Sequence, residues 1–435
     1  MKDMPALLVA MLSVTGPGLM AEVFDRVIDN PRMLRTFMQI MRSGQVGRRS
    51  LGSLPKRMVQ QWIETRTPEQ LLRASIGESP SLADIIKMVH PRPADPARAN
   101  LYAYFIDKPH DASLLPESIR TYEAFKADPS AFKNVPDVPM ELLNGMNLSV
   151  EQWKQVAERM SWQSLRMGLN TLARRGVLAD EKLAKRLARK LADAEQVKRS
   201  RVLPYQLLVA FNNAGTDVPA VIKDALQDAM ETATAAVPMI QGKVWVLVDI
   251  SGSMHSPITG HRKGSTTAVR CVDVAALVAA CFLRANDRSE AVLFSTDVVP
   301  LEINRRDSVM TNAVKMASQP GGGTNCSAPL TMLNNRRETG DLIVYVSDNE
   351  SWVDTNRSSR CTEVVAQWAR FKQRNPKAKM VCIDLQPNTT TQATDQHDVM
   401  NVGGFSDAVF ELIAGFLTGT GKAEHWVEVI ERERL

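Results

Sequence analysis

Residues 243–253 read K-V-W-V-L-V-D-I-S-G-S, and this stretch decides the fold of the C-terminal half of the chain. An apolar run from Val244 ends on the carboxylate of Asp249, and Ser251 and Ser253 follow at once. A continuous run of valine, leucine and tryptophan predicts a strand buried on both faces, as in a parallel sheet. Open α/β sheets bind ligands in the loop beyond such a strand. The three oxygen-bearing side chains therefore mark a candidate site.

Strand and helix signals alternate after this stretch. Further strands are predicted at Ala291–Ser295, Leu342–Ser347 and Met380–Leu385, with a weaker one at Val299–Ile303. Helix-period segments lie between them. The alternation predicts a doubly wound, Rossmann-like α/β domain with a mostly parallel sheet over residues 239–435.

Residues 1–238 read as a succession of helices with short polar breaks and few β-branched runs. Two of the longer predicted helices are Ala21–Met41 and Asp180–Gln196. Many short helices without intervening strands favour an all-α helical-repeat array. A compact helical bundle stays open as an alternative, because no clean sequence period is visible. At 435 residues the chain exceeds one compact core, so we expect two domains, 1–238 and 239–435.

The composition is that of a soluble globular protein, with 44% hydrophobic and 23% charged residues. None of the five cysteines is in C-x-x-C spacing, so we expect a reducing, cytoplasmic setting and neither a zinc site nor disulfides. The N-terminus superficially resembles a signal peptide, but Asp3 and the lack of an A-x-A site favour a first amphipathic helix. No uninterrupted apolar run reaches the roughly 18 residues of a membrane span. We expect a monomer that does not enter membranes.

Positive charge is unevenly distributed. The net charge is +5, and residues 151–201 alone hold 13 basic and 6 acidic residues, including Arg174 and Arg175. A second basic run covers residues 42–57, and His90 lies in K-M-V-H-P-R-P. A solvated helix face and a packing or capping histidine are the alternative interpretations. Such asymmetry also indicates a polyanionic partner whose phosphates the cations would contact.

Two more predicted loops reach the same sheet edge as Asp249. The sequence G-G-G-T-N-C-S at 321–327 carries Thr324, and the strand L-I-V-Y-V-S ends on Asp348. Two carboxylates with three hydroxyls suit Mg²⁺ or Mn²⁺, and so few protein ligands leave a position open for a partner's carboxylate or phosphate. A simple capped turn is one alternative.

The sequence gives less support for an enzyme active site at this edge of the sheet than for a metal site. A phosphotransferase that uses Asp249 as nucleophile is disfavoured, because Ser251 stands where a second acid is typical. No G-x-x-x-x-G-K-[ST] motif occurs, which excludes a Walker-type ATPase. No candidate catalytic base is evident near the predicted ligands. We therefore expect a protein that is not an enzyme.

These residues carry a resemblance to a known family. D-I-S-G-S, Thr324 in its glycine loop and V-S-D-N-E resemble the metal-ion-dependent adhesion site of von Willebrand factor A domains. G-G-G-T-N-C-S-A-P-L followed by V-Y-V-S-D-N-E-S is similar to the A domain of Ro ribonucleoproteins, the TROVE-domain family. The segments L-P-K-R-M-V-Q-Q-W, I-I-K-M-V-H-P-R-P and R-V-L-P-Y-Q-L-L-V-A resemble that family's helical region.

The resemblance implies a ring of HEAT-like helical repeats followed by the A domain. It also implies binding of small structured Y-like RNA and of single-stranded 3′ ends of misfolded RNA, in RNA quality control or the stress response. An exoribonuclease or another protein would dock on the metal site. The alternative function is an Mg²⁺-dependent protein–protein adaptor.

The resemblance also assigns residues. Its metal ligands match Asp249, Ser251, Ser253, Thr324 and Asp348, and its RNA-contacting histidine matches His90. Arg73 is in register with one of two expected basic residues, and Gly77 stands at the place of the other. We expect phosphate contacts from eight residues: Arg48, Arg49, Lys56, Arg57, Arg73, His90, Arg174 and Arg175.

Overall fold

The computed structural model describes residues 3–48, 50–235, 237, 239–258, 269–348, 363–386, 393, 396–405, 408–419, 427 and 430–432. The chain separates into two compact units, Met1–Val156 and Ala157–Arg432. Across the described residues, no helix is both long and apolar enough to span a bilayer.

Helices are the regular secondary structure among the described residues of the first unit. Its helices are α1 (Met4–Thr15), α2 (Pro17–Val27), α3 (Pro31–Ser43), α4 (Ser53–Thr65), α5 (Pro68–Ala74), α6 (Leu82–Val89), α7 (Pro96–Phe105), α8 (Glu117–Ala127), α9 (Met140–Leu143) and α10 (Val150–Arg159), which continues into the second unit. The prediction of one helix over Ala21–Met41 is wrong. α2 ends at Val27 with Ile28 as its C-cap. Asn30 then caps a new helix, since its side chain accepts a hydrogen bond from the Met33 amide at 3.0 Å and Pro31 opens α3.

Helices α4, α5 and α6 are fixed by their ends as well as by their apolar faces. Trp62 is buried in the core of this unit and donates from Nε1 to the carbonyl of Ile28 at 2.6 Å. Capping boxes begin α5 at Thr67 and α6 at Ser81. Each box satisfies two amides that a helix start leaves without partners. The polar faces of these helices are therefore held in defined positions.

The second unit begins with helices and continues as an α/β sheet. Its helices are α11 (Trp162–Arg174), α12 (Glu181–Ala192), α13 (Ala194–Ser200), α14 (Pro204–Asn213), α15 (Ala220–Thr234), α16 (Cys271–Ala285), α17 (Val309–Ala317), α18 (Ala328–Asn335), α19 (Glu363–Arg374) and α20 (Ala408–Thr418). Asp193 divides the predicted helix Asp180–Gln196, because its side chain accepts from the Gln196 amide at 2.8 Å and caps α13.

The strands are β1 (Val244–Asp249), β2 (Ser289–Phe294), β3 (Val298–Val299), β4 (Leu342–Ser347), β5 (Lys379–Asp384) and β6 (Val399–Gly403), in the order β3-β2-β1-β4-β5-β6. All pairs are parallel except β2 with β3. The mostly parallel α/β domain is thus confirmed. The predicted weak strand Val299–Ile303 is wrong beyond Val299, because the strand here is the two-residue β3, Val298–Val299. β1 is buried along its whole length and lies between β2 and β4, so the chain reverses direction across the sheet at its carboxyl end.

Helix α15 packs against the helices that cover the sheet. The Glu231 carboxylate of α15 pairs with Arg284 at 2.6 Å and accepts from the Val309 amide at 2.7 Å. Thr234 lies 3.8 Å from the Cys281 sulfur. The sequence changes period near residue 242, but these contacts make α15 part of the same compact unit as the sheet.

Candidate metal centre and basic surface

The carboxylate of Asp249 lies at the buried end of β1. Oδ1 accepts the Ser251 amide at 2.8 Å, and Oδ2 accepts the Ser347 hydroxyl at 2.7 Å. The parallel register pairs Val248 with Val346, which brings the next residue of each strand together at the sheet edge. The aspartate is therefore oriented by a backbone turn on one side and by the neighbouring strand on the other.

Two hydroxyls and a glycine loop complete this edge. The Oγ atoms of Ser251 and Ser253 are 3.3 Å apart. Gly252 donates its amide to the carbonyl of Gly322 at 2.9 Å. A Cβ at Gly321 would overlap the Ile250 carbonyl oxygen and lie 2.9 Å from the Ser251 carbonyl carbon. Only glycine permits this approach, which connects the loop carrying Thr324 to the loop that follows β1.

At this edge the Asp249 carboxylate is buried and lies in the field of a second carboxylate, Asp348. Burial raises the pKa of Asp249 from its usual 3.8 to about 6; hydrogen bonds from Ser347 and Ser251 lower it, and the Asp348 carboxylate raises it. Burial, with a smaller contribution from Asp348, also raises the pKa of the Cys271 thiol. Asp249, Ser251, Thr324 and Asp348 are all at most 4% exposed. A cation here would offset the desolvation of the two carboxylates.

The donor set fits a hard cation. Among the described residues, no three His, Cys, Asp or Glu side chains cluster as ligands. Hydrogen bonds connect Asp249, Ser251, Ser253 and Ser347 at this edge, and the Asp348 charge acts on Asp249. The fifth predicted ligand, Thr324, is buried in the glycine loop. Carboxylate and hydroxyl oxygens are what Mg²⁺ and Mn²⁺ prefer. Reasoning from the sequence missed Ser347, whose only signal was its place beside Asp348 at the end of β4.

The predicted phosphate-contacting residues fall into two groups. One group lies on the first unit, and the other, Arg174 and Arg175, lies exposed at the C-terminal end of α11 in the second unit. Arg174 donates to the Asn170 carbonyl at 3.3 Å within its own helix. Arg49 lies outside the described residues.

Arg48 is directed into the first unit. Its Nη2 donates to the carbonyl of Ser13 near the end of α1, and its guanidinium lies against Gly52, where the positive φ of 79° favours glycine. The Nε atom is buried without a hydrogen-bond partner among the described residues. This arginine therefore contributes to packing, and the outward charge of its run comes from Lys56 and Arg57.

We use the name α4–α6 surface for Lys56 and Arg57 of α4, Arg73 of α5 and His90 at the end of α6. Arg57, Arg73 and His90 are exposed and Lys56 is half-buried. Lys56 lies one turn before Gln60, whose Nε2 donates to the carbonyls of Val89 at 2.6 Å and His90 at 3.0 Å. Because residues four apart share a helix face, this bond brings Lys56 to the same side as His90.

His90 also has the local role that is common for a lone histidine. It caps α6 in the left-handed region, with a φ of 48°. Near Gly77, the Arg35 guanidinium of α3 donates to the Ile76 carbonyl at 2.8 Å and lies 2.8 Å from where a Cβ of residue 77 would be. The positive charge expected at position 77 is therefore present, but Arg35 of α3 supplies it.

Three known proteins or domains are similar to this chain. The family model described as the Ro60 vWA domain matches residues 243–417. A curated relative from Deinococcus radiodurans, named RNA-binding protein RO60, is 25% identical over 398 residues, which is 85% of this chain and 72% of the relative. A relative of the same name from Caenorhabditis elegans is 22% identical over 55% of this chain and 38% of its own length.

A solved structure shares the fold. The crystal structure of the Deinococcus radiodurans RO (RSR) protein superposes with a TM-score of 0.67 at 21% identity, and covers 95% of this chain and 87% of that one. The matched helical region and the matched A domain occur in the same order as the resemblance implied. Residues 243–417 thus match the von Willebrand factor A domain of Ro60, and over most of its length the chain is similar to Ro ribonucleoproteins, the TROVE-domain family.

Proposed function

We propose that this protein is a non-enzymatic, cytoplasmic RNA-binding protein that binds small structured Y-like RNA and the single-stranded 3′ ends of misfolded RNA. Its relatives' names, RNA-binding protein RO60, support the general role. The proposed setting is RNA quality control or the stress response, which is what the family resemblance implies.

The positive charge of the α4–α6 surface, which takes part in no described ion pair, carries the proposal. The ion pairs described in this unit join Asp3 to Arg32, Glu64 to Arg98, Glu123 to Lys126 and Glu151 to Lys154. Among the described residues, no carboxylate lies within 4.0 Å of Lys56, Arg57 or Arg73. Cations that form no such ion pair are suited to phosphates, whose counterions are released on binding.

Ultraviolet crosslinking of the protein in its native cells, followed by sequencing of the bound RNA and mass spectrometry of the crosslinked peptides, tests the proposal. We expect an enriched small structured RNA, with crosslinks in peptides from α4 to α6. Recovery of no enriched RNA, or crosslinks confined to other helices, would refute this function.

The buried oxygen cluster at the end of β1 supports a second role, as a docking site for a protein partner such as an exoribonuclease. Asp249, Ser251, Ser253, Thr324 and Asp348 would hold Mg²⁺ or Mn²⁺. A bound ion would supply an open coordination position for an acidic side chain of the partner. The chain's own contribution would be a largely buried set of oxygens at the carboxyl end of the sheet.

Two variants separate the roles. Asp249→Asn should abolish Mg²⁺-dependent capture of a protein partner and leave RNA affinity unchanged, whereas Arg57→Glu should do the reverse. If EDTA and Asp249→Asn leave every copurifying protein in place, the adaptor role is excluded.

A further inference from the structure

A pocket of about 350 Å³ lies beside His90, between the end of α6 and helix α7. We call it the His90 pocket. Its walls are apolar, formed by Ile86, Pro91, Ala103 and Ile106 together with the ring of Tyr102, and Lys87, His90 and Lys108 stand around it. No acidic side chain lines it. Its volume is at the low end for ligand sites, which suits one small planar group.

The walls of the His90 pocket are held rigidly by α4. Gln60 fixes the carbonyls of Val89 and His90, and one turn later the Glu64 carboxylate accepts the Ala94 amide at 3.1 Å. Glu64 also accepts the Tyr102 hydroxyl. The segment between α6 and α7 is therefore fastened at both ends to one helix, which lowers the ordering cost of binding a ligand.

Hydrogen bonds from Arg98 also hold Tyr102, the aromatic residue of the pocket wall, in place. The Arg98 Nε donates to the Tyr102 hydroxyl at 3.0 Å, and the same guanidinium donates to the Arg66 carbonyl at 2.8 Å. Burial and the bond to Glu64 raise the pKa of Tyr102, so its hydroxyl stays protonated. The Arg98 guanidinium also lies 5.3 Å from the centre of the Tyr102 ring, so the tyrosine that lines the pocket is held at both its hydroxyl and its ring.

The cationic side chains around the pocket are exposed, and the Lys87 charge also acts on the Asp84 carboxylate three residues earlier on α6. Lys87, His90 and Lys108 are exposed, and no carboxylate lies within 4.0 Å of either lysine among the described residues. The backbone of Lys108 is fixed by a bond from its amide to the Ala103 carbonyl at 2.9 Å. An apolar slot with cations on its rim complements a flat heterocycle attached to phosphates.

We infer that the His90 pocket holds one unstacked nucleobase of a single-stranded RNA, with Lys87 and Lys108 contacting the flanking phosphates. This inference rests on the proposed function and specifies which feature of the RNA the α4–α6 surface recognises. The base enters between Pro91 and Ile106, and the His90 imidazole covers its exposed face. Stacking of this kind tolerates every base, because each has a π face.

A substitution that fills the His90 pocket without changing its charge tests the inference most directly. Ala99 lines the pocket and is exposed on α7, whereas Ala97 is exposed on the same helix outside the pocket. Fluorescence anisotropy with a labelled ten-nucleotide oligouridine would compare Ala99→Phe with Ala97→Phe as its matched control. We expect Ala99→Phe to weaken binding about tenfold with the same salt dependence, and Ala97→Phe to match the wild type.

A second experiment measures the affinity for an oligomer of the same length that is made of abasic nucleotides. The wild type should bind it about tenfold more weakly, and Ala99→Phe should show no further loss. His90→Asn should behave like Ala99→Phe, because asparagine tolerates the left-handed backbone but has no ring to stack. Replacing Lys87 or Lys108 by Met should lower the salt slope by about 0.7 each.

These experiments distinguish failure of the pocket inference from failure of the proposed RNA-binding function. The pocket inference would be overturned if the wild type bound oligouridine and abasic RNA with equal affinity and if Ala99→Phe and Ala97→Phe had equal affinities. RNA binding as the proposed function would then still stand. Wild type that binds neither oligomer nor structured RNA would overturn the proposed function, and the pocket with it.

Discussion

Replacing Asp249 by asparagine should stabilise the second unit in metal-free buffer at pH 7. Burial raises the pKa of this carboxyl from 3.8 to about 6. A raised pKa means that the folded state binds more protons than the unfolded state between those values, so stability is lost as the pH rises through about 6. The shift corresponds to a cost of about 3 kcal/mol at neutral pH. Asparagine avoids this cost and keeps an acceptor for the Ser251 amide.

Urea denaturation followed by tryptophan fluorescence, in EDTA at a series of pH values, measures the effect. We expect Asp249→Asn to exceed the wild type by up to about 3 kcal/mol at pH 7 and the difference to vanish below pH about 4. Saturating Mg²⁺ should stabilise the wild type, by about 2.7 kcal/mol at a hundred times Kd, and not the variant. Asp297→Asn, at an exposed carboxylate near the end of β2, is the matched control and should change little. A variant less stable than wild type at pH 7 in EDTA would refute the reasoning.

Three further substitutions test the structure around the two sites. Ser347→Ala removes the hydroxyl that holds down the pKa of Asp249, so metal-free stability at pH 7 should fall by about 1 kcal/mol; an unchanged pH profile would contradict this. Gly321→Ala places a Cβ against the Ile250 carbonyl and should abolish Mg²⁺ stabilisation, whereas Gly323→Ala meets only the Thr296 hydroxyl at 3.4 Å and should retain it. Glu231→Ala deprives Arg284 and the Val309 amide of their acceptor, so denaturation should show a loss of about 2 kcal/mol that Glu231→Gln partly restores; equal stability of the two variants would exclude the bond to Val309.

The α/β fold and the metal-site residues could be predicted because their signals are local. A run of apolar residues that ends on Asp249 has few structural solutions, and parallel strands gather their carboxyl ends at one edge. Ser251 and Ser253 follow in the same loop. The role of Ser347 depends on the register between β1 and β4, which no local pattern specifies.

The basic surface was less predictable, because a charged residue's sequence position does not say which way it points. Arg48 lies in the most basic run of the first unit, yet its guanidinium is bound to the carbonyl of Ser13. Arg35 lies far from Gly77 in sequence and still supplies the charge at that position. The His90 pocket arises from α4 bonds to residues about thirty positions away. Tertiary packing alone determines such arrangements.

The most direct test of RNA binding through the α4–α6 surface is the salt dependence of affinity for a small structured RNA with a single-stranded 3′ tail. Anisotropy titrations over about 50 to 200 mM salt should give a steep linear fall in log K, since phosphate contacts release counterions. The Arg57→Ala, Arg73→Ala double variant should lower the slope by about 2. Arg32→Ala, at an exposed arginine paired with Asp3, should leave it unchanged. Affinity insensitive to salt, or equal slopes for all three proteins, would contradict the account.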